Sequence, residues 1–388
     1  MAHDLHISPC PVTDWDDERR KQLLRPARTR WQRAFLRLGT ALLVLVIICA
    51  QYWMYDVAPE RQRLAQTQPQ VHHIYDAQKV VDQSTAVVDL VGLGNLDASR
   101  TAMSLPALTR IGQVWAVQYD NSGLDTAVIS RIVTETAHRS RVDRIVVVGH
   151  SMGGIIALEV AKHIDADTDL ELRAVILDCT PINLHAVRAQ SRDAGEDMLR
   201  WMGWLPGARE SRSLRLLVET VARKDRFLFP SYGSNPLIDT GELYRTVRDV
   251  LRKKILSDDT ASNGLIQSQF QAIVASGAQD DLRALTSRSD DTKPDPAFIF
   301  LRPEFGDDDT VVDVDYSQRA LFERTGGGDG RLLVVRMPGT GHANPMQQPE
   351  QYNAAIDLDV VPFLGRLDRR DGDSDAAEAA AGRSIGTP

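Results

Sequence analysis

From residue 87 onward the chain alternates short apolar runs with longer stretches of helical period. Residues 87–91, 114–119, 145–148, 174–177, 298–301 and 332–335 are β-branched or aromatic runs of strand length. Residues 126–138, 152–164 and 349–364 between and after them have helix length and helical spacing of apolar positions. Strands apolar on both faces and separated by helices predict a mostly parallel sheet covered on both sides, an α/β class. The alternation stops over residues 181–296, where the periodicity is mainly helical and no strand stands out. This interval reads as a helical insertion above the sheet, with LRLLVETV and LYRTVRDVLRKKIL amphipathic. Its Met- and Trp-rich MLRWMGWLPG is open to three uses: packing between insertion helices, lining an apolar pocket, or touching a bilayer. A polar linker is expected over 56–84 and a disordered, low-complexity tail over 366–388, and no internal repeat is visible.

Before the alternation, residues 38–55 (LGTALLVLVIICAQYWMY) are almost wholly apolar and carry no charge. As a helix this stretch is about 27 Å long, close to the roughly 30 Å of a bilayer core. Trp31 precedes it and Tyr52, Trp53 and Tyr55 close it, where aromatic rings at headgroup depth are expected. Arg19, Arg20, Lys21, Arg25, Arg28, Arg30, Arg33 and Arg37 lie before it, and only Arg61 and Arg63 closely follow. That asymmetry predicts a cell-membrane protein with one spanning helix, a basic cytoplasmic arm over 1–37 and everything after residue 56 outside the cytoplasm. A cleaved signal peptide and a buried core helix are the competing readings, but the charged region is long and no A-x-A site follows. Ile48 before Cys49 does not suit a lipoprotein box.

Composition narrows the function classes. The 388 residues are 43% hydrophobic and 25% charged, enough for one large globular domain. A net charge of −8, with no basic face evident in the sequence outside the first 40 residues, argues against a nucleic-acid partner. Cys10, Cys49 and Cys179 cannot form a disulfide framework.

Chemistry concentrates at VVVGHSMGG, residues 146–154, where a predicted strand runs into a predicted helix. Small residues at such a junction permit a sharp turn with Ser151 at its apex, the arrangement of a nucleophile elbow. A serine hydroxyl needs a base within hydrogen-bond reach and a third group to orient that base. His342, in VVRMPGTGHANPMQQPEQYN, follows a predicted strand and precedes a predicted helix. His138 and His163 sit at helix ends, His185 opens the insertion and His150 lies inside the elbow. Two phosphate-binding look-alikes carry less weight. Gly92-x-Gly94 has Asp97 where a dinucleotide fingerprint needs its third glycine, and RTGGGDGR (324–331) follows a helix and precedes a strand, the reverse of a P-loop.

On GHSMGG and PGTGHANPMQQPEQYN the chain resembles the α/β-hydrolase fold family over roughly residues 85–365. The resemblance implies a core of residues 85–180 and 297–365 interrupted by a helical lid over 181–296 and preceded by one transmembrane helix. It implies Ser151 as nucleophile, His342 as general base and then acid, and neither metal nor organic cofactor. The family's acid follows a G-x-x-D pattern that Gly306 and Asp309 match, within FGDDDTVVDVDY; Asp178 at the end of AVILD is the rival, and a calcium site in the acidic loop is a further alternative. The oxyanion donors would be the amides of Met152 and Leu93, although Val91-Gly92 stands where the family commonly has His-Gly. The implied activity is cleavage of a carboxylic ester or thioester of a small or lipid-like acyl substrate. An acyltransferase, a peptidase or amidase, and a non-catalytic binding protein on the same fold are the alternatives. Neither the substrate's two halves nor the oligomeric state can be read from these residues.

Overall fold

The computed structural model describes residues 14–229, 237–257, 260–275, 277–287, 293–325, 327 and 331–384. The chain divides into two compact units, Met1–Pro59 and Glu60–Pro388. In the first, α1 (Asp14–Tyr52) is one continuous helix followed by a π-helical turn, Trp53–Val57. The helical stretch Thr29–Leu64 is long and apolar enough to cross a membrane. Most of the basic arm's side chains, and residues 1–13 with Cys10, lie outside the described residues.

The second unit begins within α2 (Ala58–Leu64) and is built on a seven-stranded sheet. Its strands in chain order are β1 (Gln70–Tyr75), β2 (Thr85–Leu90), β3 (Gln113–Gln118), β4 (Arg144–His150), β5 (Glu171–Asp178), then β8 (Ala297–Pro303) and β9 (Leu332–Met337). They lie side by side as β1-β3-β2-β4-β5-β8-β9, with β1 antiparallel and every other pairing parallel. The helices between the early strands are α3 (Ser99–Met103), α4 (Thr126–Ser140) and α5 (Met152–Asp167). α4 starts where Asp125 accepts the Val128 amide at 3.1 Å and ends at Arg141 in the left-handed region. The central strands are short runs of β-branched and other apolar side chains, almost wholly buried, which suits strands with helices on both faces.

Between β5 and β8 come α6 (Ala189–Trp204), α7 (Arg212–Val221), a small hairpin of β6 (Leu228–Phe229) and β7 (Leu237–Ile238), α8 (Thr240–Val250), α9 (Asn263–Val274) and α10 (Ala278–Thr286). The chain closes with α11 (Val314–Arg324), α12 (Pro349–Ala355), a π-helical turn and α13 (Val361–Ser384).

Three sequence expectations change. The interval 56–84 is not only a linker, because it contributes α2 and the edge strand β1. The insertion is not purely helical, since it holds the β6–β7 hairpin, and its α9 and α10 pack on α5 as core helices do. Over residues 366–384 the tail continues α13 rather than losing structure, and residues 385–388 lie outside the described residues. It is fixed at its start by the buried Leu367 and by ion pairs of Asp368 with Arg173 and Asp371 with Arg331. Residues 326 and 328–330 of RTGGGDGR lie outside the described residues.

α5 leaves β4 by folding back directly over it. A Cβ on Gly149 would collide with the Gly153 carbonyl and the Gly154 Cα, both backbone atoms that cannot move aside. Gly149→Ala is therefore expected to lower stability by about 2–3 kcal/mol, the upper range for overpacking. Urea denaturation of the full chain checks it, and an unchanged midpoint would refute the close crossing.

Candidate active site

Parallel strands deliver their carboxyl ends to one edge of the sheet, where ligands of open α/β folds bind. At that edge β4 ends in His150 and the chain turns at Ser151 with φ 56° and ψ −123°, outside the regions usual for a residue with a Cβ. The turn is held by the Ser151 amide, which donates to Asp178 O at 2.7 Å. Ser151 Oγ lies 2.7 Å from His342 Nε2, and His342 Nδ1 lies 2.9 Å from Asp309 Oδ2. Three side chains far apart in sequence thus form one chain of hydrogen bonds.

Asp309 follows β8 and is fully buried. Its Oδ1 accepts the amides of Val311 at 2.9 Å and Val312 at 2.8 Å, leaving Oδ2 for the histidine. Burial pushes the carboxyl pKa up, but the hydrogen bond and charge of His342 and the two amides outweigh it and hold Asp309 below the ordinary carboxylate value. Arg188 from the insertion clamps this loop, donating to the carbonyls of Asp309 at 2.7 Å and Gly306 at 2.8 Å.

The other acids of the loop do different work. Asp307 is solvent-exposed, Asp313 caps α11 by accepting the Tyr316 amide, and Asp315 binds Arg302 at 2.6 Å. Asp178, the rival for the acid, is not beside His342. Its Oδ2 lies 2.8 Å from His150 Nδ1, and its Oδ1 accepts from the Tyr352 hydroxyl at 3.0 Å.

His150 was expected only as a member of the elbow, yet it lies between two buried carboxylates. Its Nε2 stands 3.0 Å from Asp89 Oδ1, an ion pair without an aligned hydrogen bond. Burial alone would lower its pKa, but the charge of Asp89 together with the charge and hydrogen bond of Asp178 outweigh it and push it up to about 10. Tyr352 extends this network. Its hydroxyl also accepts the Asn344 amide at 3.1 Å, which ties the loop carrying His342 to the strand end below Ser151.

A cavity of about 480 Å³ opens over Ser151 and His342, and Leu93 and Met152 line it. A Cβ on Gly92 would come 2.8 Å from the His150 carbonyl, so only glycine lets the β2 loop lie this close to the elbow. The loop is fixed from above by Gln269 of α9, which accepts the Gly94 amide at 2.9 Å and donates to Asn95 O at 3.0 Å. Phe270 and Ile273 of α9 form apolar wall. The MLRWMGWLPG segment does not line it: Met202 is buried, Met198 packs on the core and Trp204 is 85% exposed.

Ligand atoms of Cys179, Asp309 and His342 lie within 4.8 Å of one another. Burial and the nearby Asp178 and Asp309 push the Cys179 thiol pKa well up, against the thiolate a metal would need, and the two other groups already bind each other. Chemically the arrangement offers a hydroxyl with an oriented base at the mouth of a largely apolar cavity. Of the residues found here, Gln269 and Arg188 leave no spacing signal in the sequence, whereas His150 and Tyr352 lie inside the two quoted motifs.

The alpha/beta hydrolase family model matches residues 82–355. Among solved structures, a monoacylglycerol lipase of Paleococcus ferrophilus is similar at 12% identity, TM-score 0.46, over 76% of this chain and 99% of that one. An esterase of Exiguobacterium antarcticum is similar at 15% identity and TM-score 0.46, over 77% and 96%. A structure from work on carboxylesterases of Nitrososphaera gargenis gives 12%, 0.46, 77% and 95%. What those proteins act on is theirs. No curated protein matches the chain.

The raised pKa of His150 links its charge to stability. A folded pKa above the unfolded value stabilises fully below the unfolded pKa and is lost as pH rises through the folded one. The urea midpoint is therefore expected to fall as pH rises from 6.5 through about 10. A midpoint that climbs across that interval would show that His150 is not held as a cation.

Proposed function

Because the chain belongs to the alpha/beta hydrolase family, we propose that it is a serine hydrolase that cleaves a carboxylic ester or thioester through an acyl-enzyme. The observation that carries this reading is the contact series Ser151 Oγ, His342 Nε2, His342 Nδ1 and Asp309 Oδ2, at 2.7 Å and 2.9 Å, beneath a largely apolar cavity. Ser151 Oγ attacks the acyl carbon while its proton passes to His342 Nε2. Asp309 keeps the other ring proton on Nδ1 and stabilises the imidazolium that forms. The amides of Met152 and Leu93 receive the charge that develops on the carbonyl oxygen. Collapse breaks the bond to the alcohol or thiol, which leaves with the proton from Nε2. Water then attacks the acyl-serine, gives a proton to His342, and the acid departs as that proton returns to Ser151.

The helix over Thr29–Leu64 and the excess of positive charge before it support a membrane anchor with the catalytic unit outside the cytoplasm. A reporter fused after residue 70 of the full-length gene should be active only on the outer side. Activity only on the cytoplasmic side reverses the orientation.

Ser151→Ala is expected to abolish fluorophosphonate labelling and turnover of p-nitrophenyl esters without lowering the denaturation midpoint. Retained labelling would place the nucleophile elsewhere. Asp309→Asn should reduce turnover by about 10⁴, the magnitude seen when a triad acid is replaced in another enzyme. Asp307→Asn, exposed and screened, should lose less than about tenfold. Asp178→Asn should act first on stability, since its carboxylate holds His150 and Tyr352; a larger loss of kcat than in Asp309→Asn would reassign the acid.

A further inference from the structure

A second cavity, of about 210 Å³, is walled by a different set of residues from those around Ser151. Arg63, Arg212, Arg215 and Lys254 reach it, together with Glu60 and Glu210. Both carboxylates are engaged already. Glu60 meets Arg63 at 2.5 Å and Arg212 at 3.0 Å, and Glu210 meets Arg61 at 3.0 Å. The charge left over belongs to Arg215 and Lys254.

Arg215 is only 7% exposed. Its Nη1 donates to Ala261 O, while its Nε has no hydrogen-bond partner among the described residues. The carboxylate paired with it, Glu219, stands 3.9 Å from Nε and is held by Arg223 at 2.6 Å. A guanidinium has five N–H donors, so burying one with so few acceptors leaves its desolvation poorly compensated. Lys254 stands half-buried on the same cavity and makes no hydrogen bond or ion pair among the described residues. The missing partner is an anion with several oxygen acceptors. The volume is below the about 300–1,000 Å³ typical of sites for whole small molecules, which favours a compact group.

The position of the cavity adds a source. Glu60 follows Tyr55 by five residues, so the cavity wall begins within about 18 Å of chain from the apolar segment. One stretch of the insertion is basic: residues 204–256 carry eleven lysines and arginines against six acidic residues, in a chain of net charge −8. Leu217, Val218 and Val221 of α7 are exposed, and so is Leu256 on the cavity itself, at 66%. Basic and apolar side chains presented together are what an anionic lipid surface attracts.

We propose that this cavity binds a phosphate oxyanion between Arg215 and Lys254, and that the headgroup of an anionic membrane lipid supplies it. The oxyanion chemistry stands without the membrane anchor or the hydrolase reading, whereas the lipid source rests on the anchor. The full-length protein in neutral detergent is titrated with inorganic phosphate while its thermal midpoint is followed. In parallel it is reconstituted in phosphatidylcholine nanodiscs with and without phosphatidylglycerol, and native mass spectrometry reads the lipid it retains. Binding in either arm is expected to weaken by about tenfold or more in Arg215→Gln and in Lys254→Gln, the loss of one charge-assisted hydrogen bond. Retained phosphatidylglycerol without a phosphate response supports the headgroup, and a phosphate response without retained lipid supports a free phosphate at the same site. Neither response in the wild type overturns the site, as does binding that is unchanged in Lys254→Gln, a half-buried position whose replacement should spare the fold. Ester turnover, measured on the same samples, should be unaltered in Lys254→Gln, which separates this site from the one at Ser151.

Discussion

With φ at 56° and ψ at −123°, Ser151 holds a backbone conformation that persists only where its surroundings over-determine it. Such strain costs about 1–3 kcal/mol. Against it stand the buried apolar residues of α5, among them Ile155, Ile156, Leu158 and Val160, each contributing about 1.5–3 kcal/mol on burial. The helix can bury them only by crossing straight back over β4, so the burial and the strained turn come together and the burial wins. One consequence is geometric. The turn that lets α5 cross is the turn that lifts the Ser151 hydroxyl off the sheet edge toward His342.

Below that hydroxyl the protein buries a second set of charges, Asp89, His150 and Asp178, together with Tyr352. Ionisable groups buried in a low-dielectric region are tolerable only with close opposite charge and hydrogen bonds. The network reaches both sides of the site. His150 precedes Ser151, and Tyr352 holds the Asn344 amide two residues after His342. The elbow and the loop of His342 therefore share one anchor, and their separation depends on its hydrogen bonds.

The parts of this structure legible in the sequence are those whose physics is local. β2, β4 and β5 are buried on both faces, so their apolar runs announce strands without any need of period. β1, reading QVHHIY, is a half-exposed antiparallel edge strand with two histidines, and its pattern does not separate it from a polar linker. The tail's composition points two ways, because AAEAAAG is low in complexity and also rich in good helix formers. Ser151 stands out because its glycine-flanked motif marks a strand end, and the family resemblance picks out His342 and Asp309. The partners of His150, and the choice of Phe270 and Ile273 as cavity wall, depend on which helix face and strand end meet across the fold, and no local pattern carries that.

Two histidines flank the same serine, and their surroundings separate them. His150 is caught between two buried carboxylates that keep it protonated far into the alkaline range. A group in that state cannot take the serine's proton, since its ring nitrogens already carry theirs. His342 faces a single carboxylate through Nδ1 and presents Nε2 to the hydroxyl at the edge of an open cavity. In the proposed reaction it must accept a proton and return it within each cycle, so one oriented carboxylate serves and a second, buried against Nε2, would trap it. The same reasoning sorts the aspartates of residues 307–315, which the sequence presents as near-equivalents. Only Asp309 loses all solvent, gains two backbone amides on one oxygen and has the other directed at a histidine. Identity of residue type sets what chemistry is available, and burial with hydrogen-bond direction sets which copy can perform it.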